Sequence, residues 1–443
     1  MGLYIDKQTL DDLGIFAQRG KTSIYNLFNQ TRTSGAAELL EEWFQYPLSD
    51  AKQITERCQM IGYFMDHPMK FPFQATWFDQ ALFYLDMVDE RSRLQLQEKG
   101  LLARLQRLLK ADVEQEKVKS GILASAEIVR TFIGMLEEAR SNNAIAFSNS
   151  LSPIEKQLNE SLLVDLPNVS DSKKITQEEL IRLDNLIRFE ERELFLKILQ
   201  EIYRLDVYLT VANVAKERGF CLPTAEESAS ETLSYENVYH PLIDGAKGNS
   251  LMMDKQKNIV FLTGANMAGK STFMKSLGIS LYLAHVGLPV PAKSMHFAPR
   301  DAIYTSINLP DNIQMGYSHY YAEVLRVKRI AQQLVNRKKL FVIFDELFRG
   351  TNVKDAYDGT IAITTRLYQH PFCQFVLSTH IIEAGEFLRA SYPKIQYRYL
   401  PTELKDGKPI YTYALTEGIT SDRHGMVIIE NEGIIDLLKL PTP

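Results

Sequence analysis

The stretch Ile259–Lys275, IVFLTGANMAGKSTFMK, decides the fold. Ile259-Val260-Phe261-Leu262 has the length and β-branched content of a buried strand. The run breaks at Thr263-Gly264, and Gly264 to Ser271 then fits G-x-x-x-x-G-K-[ST]. From Ser271 onward, Phe273, Met274, Leu277, Leu281 and Leu283 predict a helix. Strand, glycine-rich turn and helix in that order make a phosphate cradle. Gly264 and Gly269 let the backbone wrap an anion, and the N–H groups at the helix start point at it. Lys270 would set a point charge on the β- and γ-phosphates, and Ser271 a hydroxyl on Mg2+.

The totals narrow the class. A chain of 443 residues is long enough for two or three domains, each with its own core. Its 50 basic and 55 acidic residues leave a net charge of −5, so no global charge draws it to nucleic acid. The three cysteines, Cys58, Cys221 and Cys373, are scattered and form no metal spacing; they suit a reducing compartment. The N-terminus lacks a basic-then-apolar leader. No apolar run reaches the roughly 18–20 residues that cross a bilayer. These features predict a soluble, cytoplasmic protein with no membrane partner.

Residues 1 to about 230 read as helical. Proline is absent between Pro72 and Pro153 and between Pro167 and Pro223, and glycine between Gly134 and Gly219, so long helices are expected. Ser34 is placed to cap a helix that stops at Pro47, and Ser49-Asp50 opens the next. Residues 79–140 carry leucines at helical spacing, and 141–172, with Pro153 and Pro167, reads as a loop. Thr176 and Glu179 form a capping box, and apolar positions then run to Arg218-Gly219. At ~1.5 Å per residue that is one rod of roughly 60 Å, serving as a bundle helix or as a lever. The letters Phe189-Glu190-Glu191 inside it spell Phe-x-Glu.

Past residue 230 the pattern changes to short apolar strands alternating with helices, with strands expected at 258–263, 302–307, 340–344, 374–378, 395–399 and 410–415. The expected division is a helical domain over 1–230 and an α/β domain over 231–443. Leu340 to Phe344 is a strand that ends in Asp345-Glu346. Ligands of open α/β sheets lie at the carboxyl ends of strands, so Asp345 suits Mg2+ and Glu346 suits a general base. The next strand ends at His380, whose imidazole could bond a γ-phosphate and position the lytic water. Ser318 precedes a helix from Tyr320 to Leu334; read alone, it is a cap.

Taken together, GANMAGKST (264–272), GYSHYYAEV (316–324), FDELFRGTN (344–352) and LSTH (377–380) resemble the MutS family of mismatch-repair ATPases. Tyr239-His240-Pro241, Pro289-Val290-Pro291-Ala292 and Arg300-Asp301-Ala302-Ile303-Tyr304-Thr305 add to the likeness. The helical half resembles that family's core and lever region, most clearly from Phe28 to Gly62. The resemblance implies an ABC-type P-loop NTPase domain with a mainly parallel sheet, preceded by an all-α lever domain, and a homodimer whose two ATP sites are each completed by the neighbour. It implies ATP and Mg2+ held by Gly264, Asn266, Met267, Gly269, Lys270, Ser271 and Thr272, with Ser271 and Asp345 on the metal. Glu346 would be the base, His380 the γ-phosphate sensor, and Ser318 would reach the partner subunit's γ-phosphate. Tyr413 falls near the adenine-stacking position.

The sequence also departs from that pattern. It opens at the lever region, so mismatch-reading and connector domains are not expected, and Phe189-Glu190-Glu191 lies where no mismatch wedge could insert. The stretch between 100 and 175 is short for a DNA clamp. His319-Tyr320-Tyr321 stands where the family prefers Thr-Phe-Met, and little chain follows Gly425 for a dimerisation tail or nuclease. Three functions follow. One is an ATPase in DNA repair or recombination that moves a lever on double-stranded or branched DNA rather than on mismatches. The second is an ATP-switched scaffold whose lever binds an unknown protein. The third, a chromosome-maintenance ATPase, would need long heptad arms that this chain lacks.

Overall fold

The computed structural model describes residues 2–17, 22–87, 104–141, 145–168, 175–227, 231–265, 267–307, 319–405, 408–420 and 433–438. Two compact units emerge: residues 1–28, 43–62 and 213–443, and residues 29–42 and 63–212.

The larger unit is built on a seven-stranded sheet. Its strands run, in spatial order, Tyr4–Ile5, Ala302–Ser306, Leu340–Phe344, Gln374–Ser378, Ile259–Thr263, Gln396–Tyr399 and Thr416–Glu417. Every neighbouring pair is parallel except the last. The four central strands are buried at every position, as expected of a parallel sheet covered on both faces. Alternation splits their side chains. Ile259, Phe261, Ala302, Tyr304, Leu340, Val342 and Phe375 join a core with Ile330, Leu334, Ala356, Leu367 and Leu388 from three helices, His319–Val335, Val353–Leu367 and Ile382–Ser391. On the opposite face Ile343 packs near Gly278 of the Lys270–Val286 helix, where Leu13 also arrives. A four-stranded sheet of Thr224–Ala225, Ser294–Phe297, Leu233–Val238 and Asn249–Met253 and a hairpin of Thr402–Lys405 with Lys408–Tyr411 complete this unit.

By compactness the first 28 residues and 43–62 group with the sheet unit. Tyr4–Ile5 pairs with Ala302 and Ile303 at the sheet edge. Asp6 takes the buried guanidinium of Arg326, and Asp12 accepts from Thr305 Oγ1 at 2.7 Å and Ile307 N at 3.0 Å. Phe16, Tyr25 and Phe28 ring Phe44, which packs on Tyr282. These are tertiary contacts between segments far apart in sequence, which helical spacing does not reveal.

Among the described residues the second unit is helical: Ala75–Leu85, Arg104–Ser141, Ile145–Asn159, a 3-10 segment Leu162–Asn168, and Gln177–Asn185 leading on to Arg192–Arg218. Near its start Thr33, not Ser34, caps the Ser34–Gln45 helix, its Oγ1 accepting from Ala36 N, while buried Asp206 accepts from Arg32 N and Thr33 N. Asp50 caps the Ala51–Asp66 helix in the larger unit as expected, accepting from Gln53 N at 2.8 Å. Residues 145–159 are helix despite Pro153, so the expected loop over 141–172 is corrected. Thr176 caps as expected, accepting from Glu179 N at 3.2 Å. The single rod does not follow: Leu186–Glu190 is a π turn and Glu191 leaves helical geometry, so Phe189-Glu190-Glu191 occupies the break. Residues 88–103 lie outside the described residues.

Candidate functional site

Strand order gathers the chemistry. The Gln374–Ser378 strand separates the strand feeding the glycine-rich loop from the strand feeding Asp345-Glu346. The carboxyl ends of all three therefore lie side by side, where such sheets take ligands.

The loop turns into its helix at Gly269, in left-handed backbone (φ 98°), and a Cβ there would lie 2.9 Å from the Tyr413 ring. Only glycine serves at that point. Lys270, 5% exposed, folds back on the loop: its Nζ donates to Gly264 O at 2.8 Å and Ala265 O at 3.1 Å. An arriving anion would exchange these bonds for its own oxygens. Burial lowers the lysine's pKa, opposed by the charges of Glu346 and Asp345. Ser271 Oγ donates to Asp345 Oδ2 at 2.5 Å, so hydroxyl and carboxylate already meet. Among the described residues no group of three or more His, Cys, Asp or Glu could hold a metal ion. One hydroxyl and one carboxylate, both hard oxygens, suit Mg2+, which completes its shell with water and phosphate oxygens.

Glu346 and Phe348 both take left-handed backbone (φ 54° and 65°), which costs non-glycine residues about 1 kcal/mol or more each. Glu346 Oε1 lies 2.5 Å from His380 Nε2 and its Oε2 3.1 Å from Arg349. The hydrogen bond from His380 leads the causes that hold Glu346 below its usual carboxylate range; burial opposes it, and the charges of His380, Arg349 and Lys270 assist. Ser378 ties the two acids together: its Oγ donates to Asp345 Oδ1 at 2.5 Å and accepts from Glu346 N at 3.0 Å.

Beside the loop lies a cavity of about 590 Å³, lined by His240, Ile243, Asn249, Met267, Lys270, Ser271, Thr272, Glu346 and Tyr413 among others. Tyr413, 47% exposed, forms part of its wall, and Asn249 pins the adjoining backbone by donating to Tyr413 O and accepting from Leu415 N. Burial, with the charge of Lys275, pushes His240 down to about 4, leaving a neutral ring at the cavity edge. Met267, 76% exposed, stands at the loop tip.

The structure thus brings Gly264, Met267, Gly269, Lys270, Ser271, Thr272, Asp345, Glu346, His380 and Tyr413 to one end of the sheet. Asn266 and Ser318 lie outside the described residues. Ser378, Asn249, Ile243 and His240 also belong to this site, although none is among the expected site residues. Ser378 lies in the LSTH run, but nothing local marks it as the tie between two acids, and Asn249 carries no local signal either.

A family model for MutS domain V matches residues 260–437, and one for MutS domain III matches residues 8–217. The chain belongs to the MutS family. The DNA mismatch repair protein MutS of Bacteroides thetaiotaomicron is 23% identical over 530 residues, spanning 97% of this chain and 60% of that protein. The MutS of Thermotoga petrophila is 23% identical over 518 residues (98% and 64%), and that of Streptococcus sanguinis 25% over 530 (98% and 61%). This chain therefore spans less than two thirds of the length of these MutS relatives. Alignments longer than the 443 residues of this chain mean that the relatives carry sequence inside the matched region that it does not.

Proposed function

We propose that this MutS-family chain is a Mg2+-dependent ATPase with a P-loop NTPase fold, which binds ATP in the cavity beside Gly264–Ser271 and hydrolyses it to ADP and phosphate. The observation that carries this reading is the 2.5 Å contact between Ser271 Oγ and Asp345 Oδ2, which joins the glycine-rich loop to the acidic strand end. Lys270, Asn266 and Thr272 hold phosphates in this reading, and Tyr413 and His240 flank the base. Mg2+, when bound, would sit on Ser271 and Asp345 and offset phosphate charge. Glu346 takes the proton of the attacking water, and His380 holds that water and the γ-phosphate. Two copies face each other, each sending Ser318 to its partner's nucleotide, and closure moves the helical unit as a lever. The substrate of that motion is DNA in repair or recombination, recognised by its structure rather than by a mismatch.

A second reading, an ATP-switched scaffold that binds a protein, gains support from the net charge of −5 and from the sequence this chain lacks inside the region matched to its relatives. The deciding experiment is steady-state ATPase with homoduplex, mismatched, four-way-junction and single-stranded DNA across a salt series. Stimulation that fades with salt supports the DNA enzyme. Unchanged turnover with every DNA supports the scaffold, and normal ATP affinity in Lys270→Ala removes the site itself. Restored turnover on mixing Ser318→Ala with Lys270→Ala would support sites shared between subunits.

A further inference from the structure

We propose that Phe348 is a positioning residue for Glu346: its ring wedges between two helices and fixes the backbone on which the carboxylate is mounted. The proposal rests on the reading of Glu346 as the base. A bulky aromatic at φ 65° is an outlier, and such a conformation persists only where the surroundings over-determine it. The surroundings here are specific. The ring is buried, its centroid 5.7 Å from that of Tyr320 in the first turn of the His319–Val335 helix. Its other side meets Gly359 in the Val353–Leu367 helix, where a Cβ would lie 2.8 Å from Phe348 Cδ2 and 2.9 Å from Cε2. Glycine in a helix interior is otherwise unfavourable, so the gap at Gly359 has a use: it seats the ring.

Two residues earlier the same turn is pinned again, by the bond from Glu346 N to Ser378 Oγ. Arg349 N also bonds Glu346 O at 3.2 Å. Between these anchors only Leu347 intervenes, and it too is buried. A ring without its seat would let Phe348 return to negative φ, turning the intervening peptides and swinging the Glu346 carboxylate away from His380. A side chain that merely filled the core would not need a left-handed backbone.

The test compares Phe348→Leu, Phe348→Ala, Gly359→Ala and the Phe348→Ala/Gly359→Ala pair with the wild-type chain. Three readouts are taken: Mg·ATP turnover, ATP affinity, and amide hydrogen exchange over residues 345–350 without nucleotide. Phe348→Ala and Gly359→Ala should each lower kcat about ten- to a hundredfold with KM and ATP affinity unchanged, and speed exchange in the turn. Phe348→Leu should recover most of the turnover, and the pair should be no worse than Phe348→Ala, because the added methyl enters vacated space. Gly359→Ala and Phe348→Leu carry the test if Phe348→Ala fails to fold. Turn exchange unchanged in the folded variants, or turnover unchanged while the turn loosens, would overturn the proposal. A wild-type chain without turnover would instead remove the ATPase reading, and the exchange measurement would still decide whether the ring fixes the turn.

Discussion

Nε2 of His380 lies 2.5 Å from Oε1 of Glu346. This bond leads the influences that lower the Glu346 pKa, so the carboxylate stays ionised to a lower pH than a free glutamate. The acid limb of the turnover profile should therefore fall below the ordinary carboxylate range of about 4.3. Removing the donor in His380→Ala should move that limb upward as well as slowing turnover. Glu346→Gln should bind ATP and fail to hydrolyse it. An acid limb that stays in place in His380→Ala would dissociate the two groups.

Ser378 bonds both Asp345 and the Glu346 amide, so Ser378→Ala strips a partner from each. Each lost bond is part-buried and worth about 1 kcal/mol of stability. Turnover should fall about tenfold or more through misplacement of the acids, with ADP affinity little changed. Wild-type turnover in a destabilised Ser378→Ala protein would reduce the residue to packing.

Where local pattern carried the information, the sequence could be read. The strand at Ile259–Thr263, the glycine-rich loop and the acids at 345–346 each follow from a short run of letters. Ser378 shows the limit. Its importance comes from the strand order, which inserts residues 374–378 between the loop strand and the acid strand, and no spacing reports that order. The same holds for the N-terminus. Asp6, a helix N-cap, and Asp12, inside that helix, look like ordinary acids until Arg326 and Thr305, some 300 positions away, are folded onto them. Helical periodicity also continues smoothly through Leu186–Glu190, so the break there is invisible to it.

His285 is fully buried. It donates from Nδ1 to Leu48 O at 2.6 Å and accepts at Nε2 from Arg300 N at 3.2 Å, which requires the neutral ring. Burial pushes its pKa down to about 4. The unfolded chain, with an ordinary histidine pKa of about 6.5, then binds a proton that the folded chain refuses. Stability is complete above that value and falls as pH drops toward 4, by on the order of 2 kcal/mol at about pH 5. Denaturant melts at about pH 7.5 and pH 5 should show this loss, and His285→Asn, less stable at the higher pH, should lose less on acidification. Equal pH sensitivity in the variant would rule out His285 as the source.

The break in the expected rod coincides with a buried ion pair. Asp184 accepts from Arg188 Nε at 2.6 Å and Nη2 at 2.5 Å and from Tyr84 Oη at 2.9 Å, while Arg188 also donates to Met87 O. Both charges are almost wholly inaccessible, at 1% for Asp184 and 3% for Arg188. A buried pair of this kind contributes little net stability, yet removing one member strands the other. Arg188→Met should therefore cost about 3–5 kcal/mol, whereas Asp184→Leu/Arg188→Met with Tyr84→Phe, which removes every charge and the dependent hydroxyl, should restore most of it. ATP affinity should stay constant throughout, since none of these residues lines the cavity beside the glycine-rich loop. If the triple variant is as unstable as Arg188→Met, the cost lies in packing around the π turn and not in the stranded carboxylate.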